Sequence, residues 1–163
     1  MTESTRENRR RVPMNEQNDL ASDDAPTSHE MRREANLVAL RVAFEGVSNA
    51  DADAQLAQYT DDMVLELPFA DPPVTVQGKA DAFAMLTRAF EVCRMALRIT
   101  DVHWCLDPDE LVVEFESEGY MATTGRAYAN AYIAVVRFRD GRICHQREFF
   151  VPRVAEWALA QDG

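Results

Sequence analysis

Glycine is scarce in this 163-residue sequence: six are scattered along the chain, and no Gly-rich phosphate loop, dinucleotide fingerprint or Gly-x-Ser-x-Gly elbow occurs. Nucleotide-cradling and serine-hydrolase machinery of those kinds is thereby excluded. Positive charge is scarce too. Seventeen Lys+Arg stand against 28 Asp+Glu, a net charge of −11, and Lys79 is the one lysine. A field of that sign repels phosphate backbones, so nucleic acid is not an expected partner. Three cysteines (Cys93, Cys105, Cys144) form no CxxC pair, and three histidines (His29, His103, His145) stand at no ligand spacing to them or to each other. No metal is expected from such a set. The odd thiol count fits a reducing compartment. No run of 18 apolar residues occurs, and no apolar stretch follows Arg9, Arg10 and Arg11. A cytoplasmic protein without a membrane span is therefore expected.

What is present is ordinary globular material: 47% hydrophobic and 28% charged residues, enough for one domain with a core and a pocket. Residues 1–28 are polar and mixed in charge, with few large apolar side chains, which predicts a disordered tail ahead of a domain over 29–163. From Glu30, Met31, Leu37, Val38, Leu40, Phe44 and Val47 recur at helical spacing. A second helix is expected through Leu56 to Tyr59, a strand over Val64 to Phe69, and a third helix after Gly78 carrying Phe83, Leu86, Phe90 and Cys93 on one face.

Beyond Arg94 the period falls to two. Strands are expected over Leu97–Trp104, Leu111–Tyr120, Ala127–Arg139 and Ile143–Val151, the last two joined by Asp140-Gly141, a strong hairpin signal. A short helical segment with Trp157 and Leu159 closes the chain. Three helices followed by antiparallel strands predict an α+β fold, with the helices gathered on one face of one sheet. Glu114, Glu116 and Glu118 alternate with Val113 and Phe115, the pattern of a solvated strand face and not of a metal cluster.

This order of elements, with YTDDMVLELPFADPPVTVQGKADAF and AYANAYIAVVRFRDGRICHQREFFVP, resembles the SnoaL-like and ketosteroid-isomerase-like branch of the nuclear-transport-factor-2-like superfamily over residues 31–159. The resemblance implies a cone, with three helices packed in a strongly curved, mostly antiparallel sheet around a hollow interior. No cofactor is expected, since no phosphate loop or dinucleotide fingerprint occurs. Ketosteroid isomerases use a tyrosine, a base aspartate and a protonated aspartate. The corresponding positions here are Ala43, Leu67 and Ala134, all apolar, so that machinery is absent. The C-terminal strands resemble the phenazine-biosynthesis A/B proteins, dimers that help condense reactive ketones. Their acid/base glutamate matches Glu148, whereas their second catalytic residue, a histidine, falls near Arg98.

Alternation along the last two strands sorts side chains by face. Tyr128, Asn130, Tyr132, Ala134 and Val136 share one face with Cys144, Gln146, Glu148 and Phe150, and this face is aligned with the family's pocket. Glu148 among apolar neighbours is the expected proton carrier, with Tyr132 and Asn130 as donors to a developing oxyanion. The plainer alternative pairs Glu148 with Arg98 or Arg126 as structure. Gln146, Phe150, Leu67, Phe69, Phe90, Ala134, Val136 and Arg98 are the expected substrate contacts. Tyr128 near the strand start is expected half-exposed. His103 is a weaker candidate partner for Glu148, while Glu66 lies on the opposite face. The other face (Ala131, Ile133, Val135, Arg137; Ile143, His145, Arg147, Phe149) is also apolar-rich, which predicts a homodimer through the outer sheet face.

The function expected is a cofactor-independent isomerase, cyclase or condensation catalyst acting on a small hydrophobic carbonyl metabolite. A non-catalytic binding or accessory module of the same fold is the alternative. An epoxide hydrolase is a second one, and it would need another acid near Glu148.

Overall fold

The computed structural model describes residues 26–160; of the tail expected over residues 1–28, residues 1–25 lie outside them. Helix α1 (Ser28–Ser48) begins two residues ahead of Glu30 because Thr27 caps it. The Thr27 hydroxyl accepts the Glu30 N–H at 3.2 Å, and the Glu30 carboxylate accepts the Thr27 N–H at 2.6 Å, satisfying two donors left open by the first turn. Leu37, Leu40, Phe44 and Val47 form its buried stripe. Helix α2 (Ala52–Leu56) is capped by Asp51 and ends before Tyr59, which opens strand β1 (Tyr59–Leu67) and does not close a helix as expected. Strand β2 (Val74–Gln77), a short edge not anticipated from the sequence, precedes α3 (Lys79–Val92). Then come β3 (Cys93–Trp104), β4 (Glu110–Met121), β5 (Ala127–Arg139), β6 (Arg142–Phe150) and α4 (Pro152–Leu159).

The fold is α+β: one curved, unclosed six-stranded sheet in the order β2-β1-β6-β5-β4-β3, with helices packed against it. All neighbours are antiparallel except β1 and β6, which run parallel. The Asp140-Gly141 turn is as expected, with both residues at positive φ (53° and 73°), the geometry of a two-residue hairpin loop. Past it, one extra residue enters β6. Arg137 pairs with His145 but Phe138 with Ile143, so Cys144 is bulged. Ile143 therefore turns into the core at 0% exposure, while Cys144 Sγ reaches the Arg137 carbonyl; the expected inward Cys144 and outward Ile143 are exchanged.

The concave side carries the main core, in which Phe44, Met63, Phe115, Tyr132 and Val136 meet. The convex side is laced with ion pairs: Arg98–Glu116, His103–Glu114, Arg137–Glu110, and Glu66 with His145 and Arg147. Helix α4 covers Cys93, Met121 and Tyr128 through Ala158. Among the described residues no helix is long and apolar enough to cross a membrane.

Gly46, near the end of α1, lets α2 approach. A Cβ there would sit 2.5 Å from the Gln55 backbone nitrogen and 2.7 Å from its Cα. Helix propensity alone would make Gly46→Ala favourable by about 1 kcal/mol. The backbone clash reverses that sign, so the substitution should destabilise by roughly 1–3 kcal/mol in urea unfolding. A more stable Gly46→Ala protein would contradict this packing.

Candidate functional site

A cavity of about 140 Å³ lies between the concave sheet and helices α1, α2 and α3. Most of its wall is apolar: Phe44 and Val47 from α1, Leu56 from α2, Met85, Leu86 and Phe90 from α3, with Met63, Leu65, Leu67, Met95, Leu97 and Phe115 from the strands. Its polar groups are Gln55, Tyr59, Tyr132, Gln146 and Glu148. Glu148 is the one ionisable carboxyl in that lining, and no Lys, Arg or His joins it.

Two hydrogen-bond chains meet the cavity. In the first, the Tyr59 hydroxyl donates to Gln146 Oε1 at 2.7 Å, and Gln146 Nε2 donates to Glu148 Oε2 at 2.9 Å. Tyr59 enters by the parallel pairing of β1 with β6, while Gln146 and Glu148 share a face two residues apart. In the second, Asn130 Nδ2 donates to the Tyr128 hydroxyl at 3.2 Å; the Tyr128 and Tyr132 hydroxyls lie 2.7 Å apart, and Ser117 Oγ is 3.1 Å from Tyr132. Either tyrosine hydroxyl can be the donor in the bond between them. The Tyr132 ring stacks on Phe115, centroids 4.6 Å apart at 5°.

Burial in these apolar surroundings pushes the Glu148 carboxyl up to about 7, offset only in part by the Gln146 N–H. Desolvation likewise raises the Tyr59 and Tyr132 hydroxyls far above their ordinary value, so both stay protonated donors at neutral pH.

Of the residues expected from the sequence, the structure brings Glu148, Tyr132, Gln146, Leu67 and Phe90 to the cavity. Others lie elsewhere. Asn130 is buried, but its Nδ2 also binds the Val151 carbonyl (3.0 Å), and its Oδ1 accepts the Val151 and Ala131 N–H groups. Its polar capacity is used in tying β5 to the start of α4, and it has no place at the cavity wall. Ala134 and Val136, both 0% exposed, pack in the core beneath the lining. Phe150 sits 6.1 Å from the Tyr132 ring, outside the lining. Phe69 is 57% exposed, because it follows Pro68 out of β1 and packs edge-on against Phe149 of the convex side.

Arg98 is also convex, held by Glu116 at 2.5 Å, so it neither lines the cavity nor pairs with Glu148. Arg126 donates to the Trp157 carbonyl and lies over its ring. His103 pairs with Glu114 and not with Glu148. Tyr128, expected half-exposed, is buried. Sequence reasoning missed Tyr59 and Gln55 as site residues. The only local signal for Tyr59 was an aromatic at the edge of a β-rich run. Among the described residues no group of three or more His, Cys, Asp and Glu is arranged to hold a metal ion.

Comparison with known proteins agrees with this fold. A profile described as the SnoaL-like domain matches residues 40–146. An uncharacterised PhzA/B-like protein of Pseudomonas aeruginosa is 33% identical over 110 residues, 65% of this chain and 77% of the relative. Among crystal structures, a Bacillus subtilis protein provisionally named an isomerase superimposes with a TM-score of 0.74 at 25% identity, covering 78% of this chain and 94% of that one. A phenazine biosynthesis-related protein of Pseudomonas aeruginosa gives 0.68 at 18% identity, covering 83% and 94%, a likeness of fold.

The raised carboxyl also affects stability. An unfolded Glu148 ionises near 4.5, whereas the folded group keeps its proton to about 7, so stability falls as pH rises through that window and levels off above it. Glu148→Gln has no ionisation to lose. Above pH 7 it should therefore exceed the wild type by about 2–3 kcal/mol, with the gap closing below pH 4.5. Urea unfolding across pH 4–8 checks this; a Glu148→Gln protein less stable than the wild type at pH 7, with the deficit shrinking towards acid, would mean a salt-bridged carboxylate.

Proposed function

The chain belongs to the SnoaL-like domain family, and from that premise we propose that it is a cofactor-independent acid/base enzyme, an isomerase, cyclase or condensation catalyst for a small hydrophobic carbonyl compound held in the cavity. One observation carries the reading: a carboxyl without a cation partner in an apolar cavity, its pKa brought to about 7 by burial. A group that titrates there is half in each state at neutral pH, so it can remove a proton from carbon next to a carbonyl and return one elsewhere. Glu148 is the proposed proton carrier. The Tyr132 hydroxyl, hydrogen-bonded to Tyr128 and Ser117, is the proposed donor to the oxygen that gains charge. Water activation by a carboxylate pair, as an epoxide hydrolase would use, has less support, because no second acid lines the cavity.

The reading is checked with acetophenone in D₂O. Proton NMR should show enzyme-dependent loss of its methyl signal, at a rate that rises with pH through about 7, levels off above it, and is reduced at least about 100-fold in Glu148→Gln. Binding without exchange, unaltered by Glu148→Gln, would favour a non-catalytic binding module.

The proposed partner of the convex sheet face is a second copy of the chain. Ile133 is 47% exposed there, and Phe149, Val135 and the outlying Phe69 extend the apolar area between the ion pairs. Sedimentation should give twice the chain mass, and Ile133→Asp should yield monomers that keep their secondary structure. A wild-type monomer at high micromolar concentration would refute the dimer.

A further inference from the structure

The two oxygens of Glu148 are not equivalent. Oε2 accepts the Gln146 amide, whereas Oε1 has no protein partner among the described residues. The amide itself is oriented from behind: Tyr59 donates to its oxygen, so its N–H side must face the carboxyl. With Oε2 committed as an acceptor, a proton on Glu148 resides on Oε1, the oxygen left for a ligand.

We infer that Tyr59 and Gln146 are positioning residues that present Glu148 to the cavity as an O–H donor, and that the site thereby selects uncharged ligands of about one ring that offer a hydrogen-bond acceptor. The inference deepens the acid/base reading above and rests on it for the ligand's carbonyl: it describes binding to the protonated carboxyl, and removal of a proton from carbon follows only from the ionised state, so exchange gains with pH over the range in which binding weakens. Size follows from volume: about 140 Å³ matches the roughly 150 Å³ of engineered apolar cavities that take up benzene. Charge follows from the wall. The titratable groups facing Glu148 are Tyr59 from β1 and Tyr128 and Tyr132 from β5, all hydroxyls raised by burial. Helices α1, α2 and α3 and strands β3 and β4 add only apolar or amide side chains to the lining. An anionic ligand would thus meet no cation, and a cationic one would need Glu148 ionised.

These alternatives have opposite pH signatures. A neutral acceptor binds the protonated carboxyl, so its affinity falls as Glu148 ionises, whereas an amine gains affinity over the same range. Titration calorimetry on the wild type with acetophenone, benzylamine and benzoate separates them. Acetophenone should bind best of the three at pH 6 and weaken about tenfold by pH 8. Tyr59→Phe, which keeps the ring but frees the Gln146 amide to turn, should weaken acetophenone about fivefold at pH 6 and shrink the pH 6 to pH 8 ratio. No acetophenone binding, binding independent of pH, tighter benzylamine binding at pH 8, or a Tyr59→Phe profile equal to the wild type would each overturn the inference. The wild-type series decides the pH signature even if Tyr59→Phe does not fold. The D₂O exchange experiment reads turnover separately, so loss of exchange with the binding profile intact would sink the enzyme reading and leave ligand selection standing.

Discussion

A carboxyl buried without a cation is the constraint on which the rest of this site depends. Ionising such a group in low dielectric is costly, and the structure supplies only one neutral N–H donor against that cost. The chain does not lack guanidinium groups; it places them elsewhere. Arg98, Arg137 and Arg147 all point to the convex face, where each has a carboxylate, and Arg139 meets Asp62 at the surface. The alternation of β6 performs the separation within two residues: Arg147 turns outward to Glu66 while Glu148 turns inward to the cavity. An arginine moved by one position would neutralise the carboxyl's special state, so strand register controls the chemistry.

The two hydrogen-bond chains divide different tasks. Asn130 anchors one of them, but all four of its polar contacts are internal, two with Val151 just before α4. It holds the end of β6 against β5, and its influence on the cavity runs through the Tyr128 and Tyr132 hydroxyls. The Tyr59–Gln146 chain ends on the Glu148 carboxyl itself. Both chains consist of neutral donors, which orient a carboxyl without fixing its charge as an arginine would.

Much of this was legible before the structure, for a physical reason. Period-two alternation is insensitive to exact strand ends, so the face shared by Tyr132, Gln146 and Glu148 could be read by pairing them with Ala134, and the register Ala134–Glu148 agrees. Where the alternation slips, the reading slips with it. The bulge at Cys144 exchanged Cys144 and Ile143, and Phe69 was lost because the chain leaves β1 after Leu67 and turns towards Phe149. Arg98 was drawn to the pocket by analogy, although its strand neighbours Leu97 and Ile99, and not Arg98, pack against the core. Tyr59 was hardest. Its bond to Gln146 spans 87 positions and depends on a parallel β1–β6 pairing that no local pattern announces.

The solitary character of Glu148 also narrows the chemistry that this fold can support here. Two carboxyls around a water divide the labour, one activating the nucleophile and the other protonating the leaving oxygen. A single carboxyl can do both only in turn, which suits reactions that take a proton from one atom and give it to another without net gain or loss. Such a shuttle works best when neither state is strongly preferred at the working pH, the condition that burial creates for Glu148. Phe44, Phe90, Phe115 and the methionines form most of the wall and leave the geometry of the carboxyl to Tyr59 and Gln146. The polar minority of the lining therefore sets direction and proton affinity, while the apolar majority sets size.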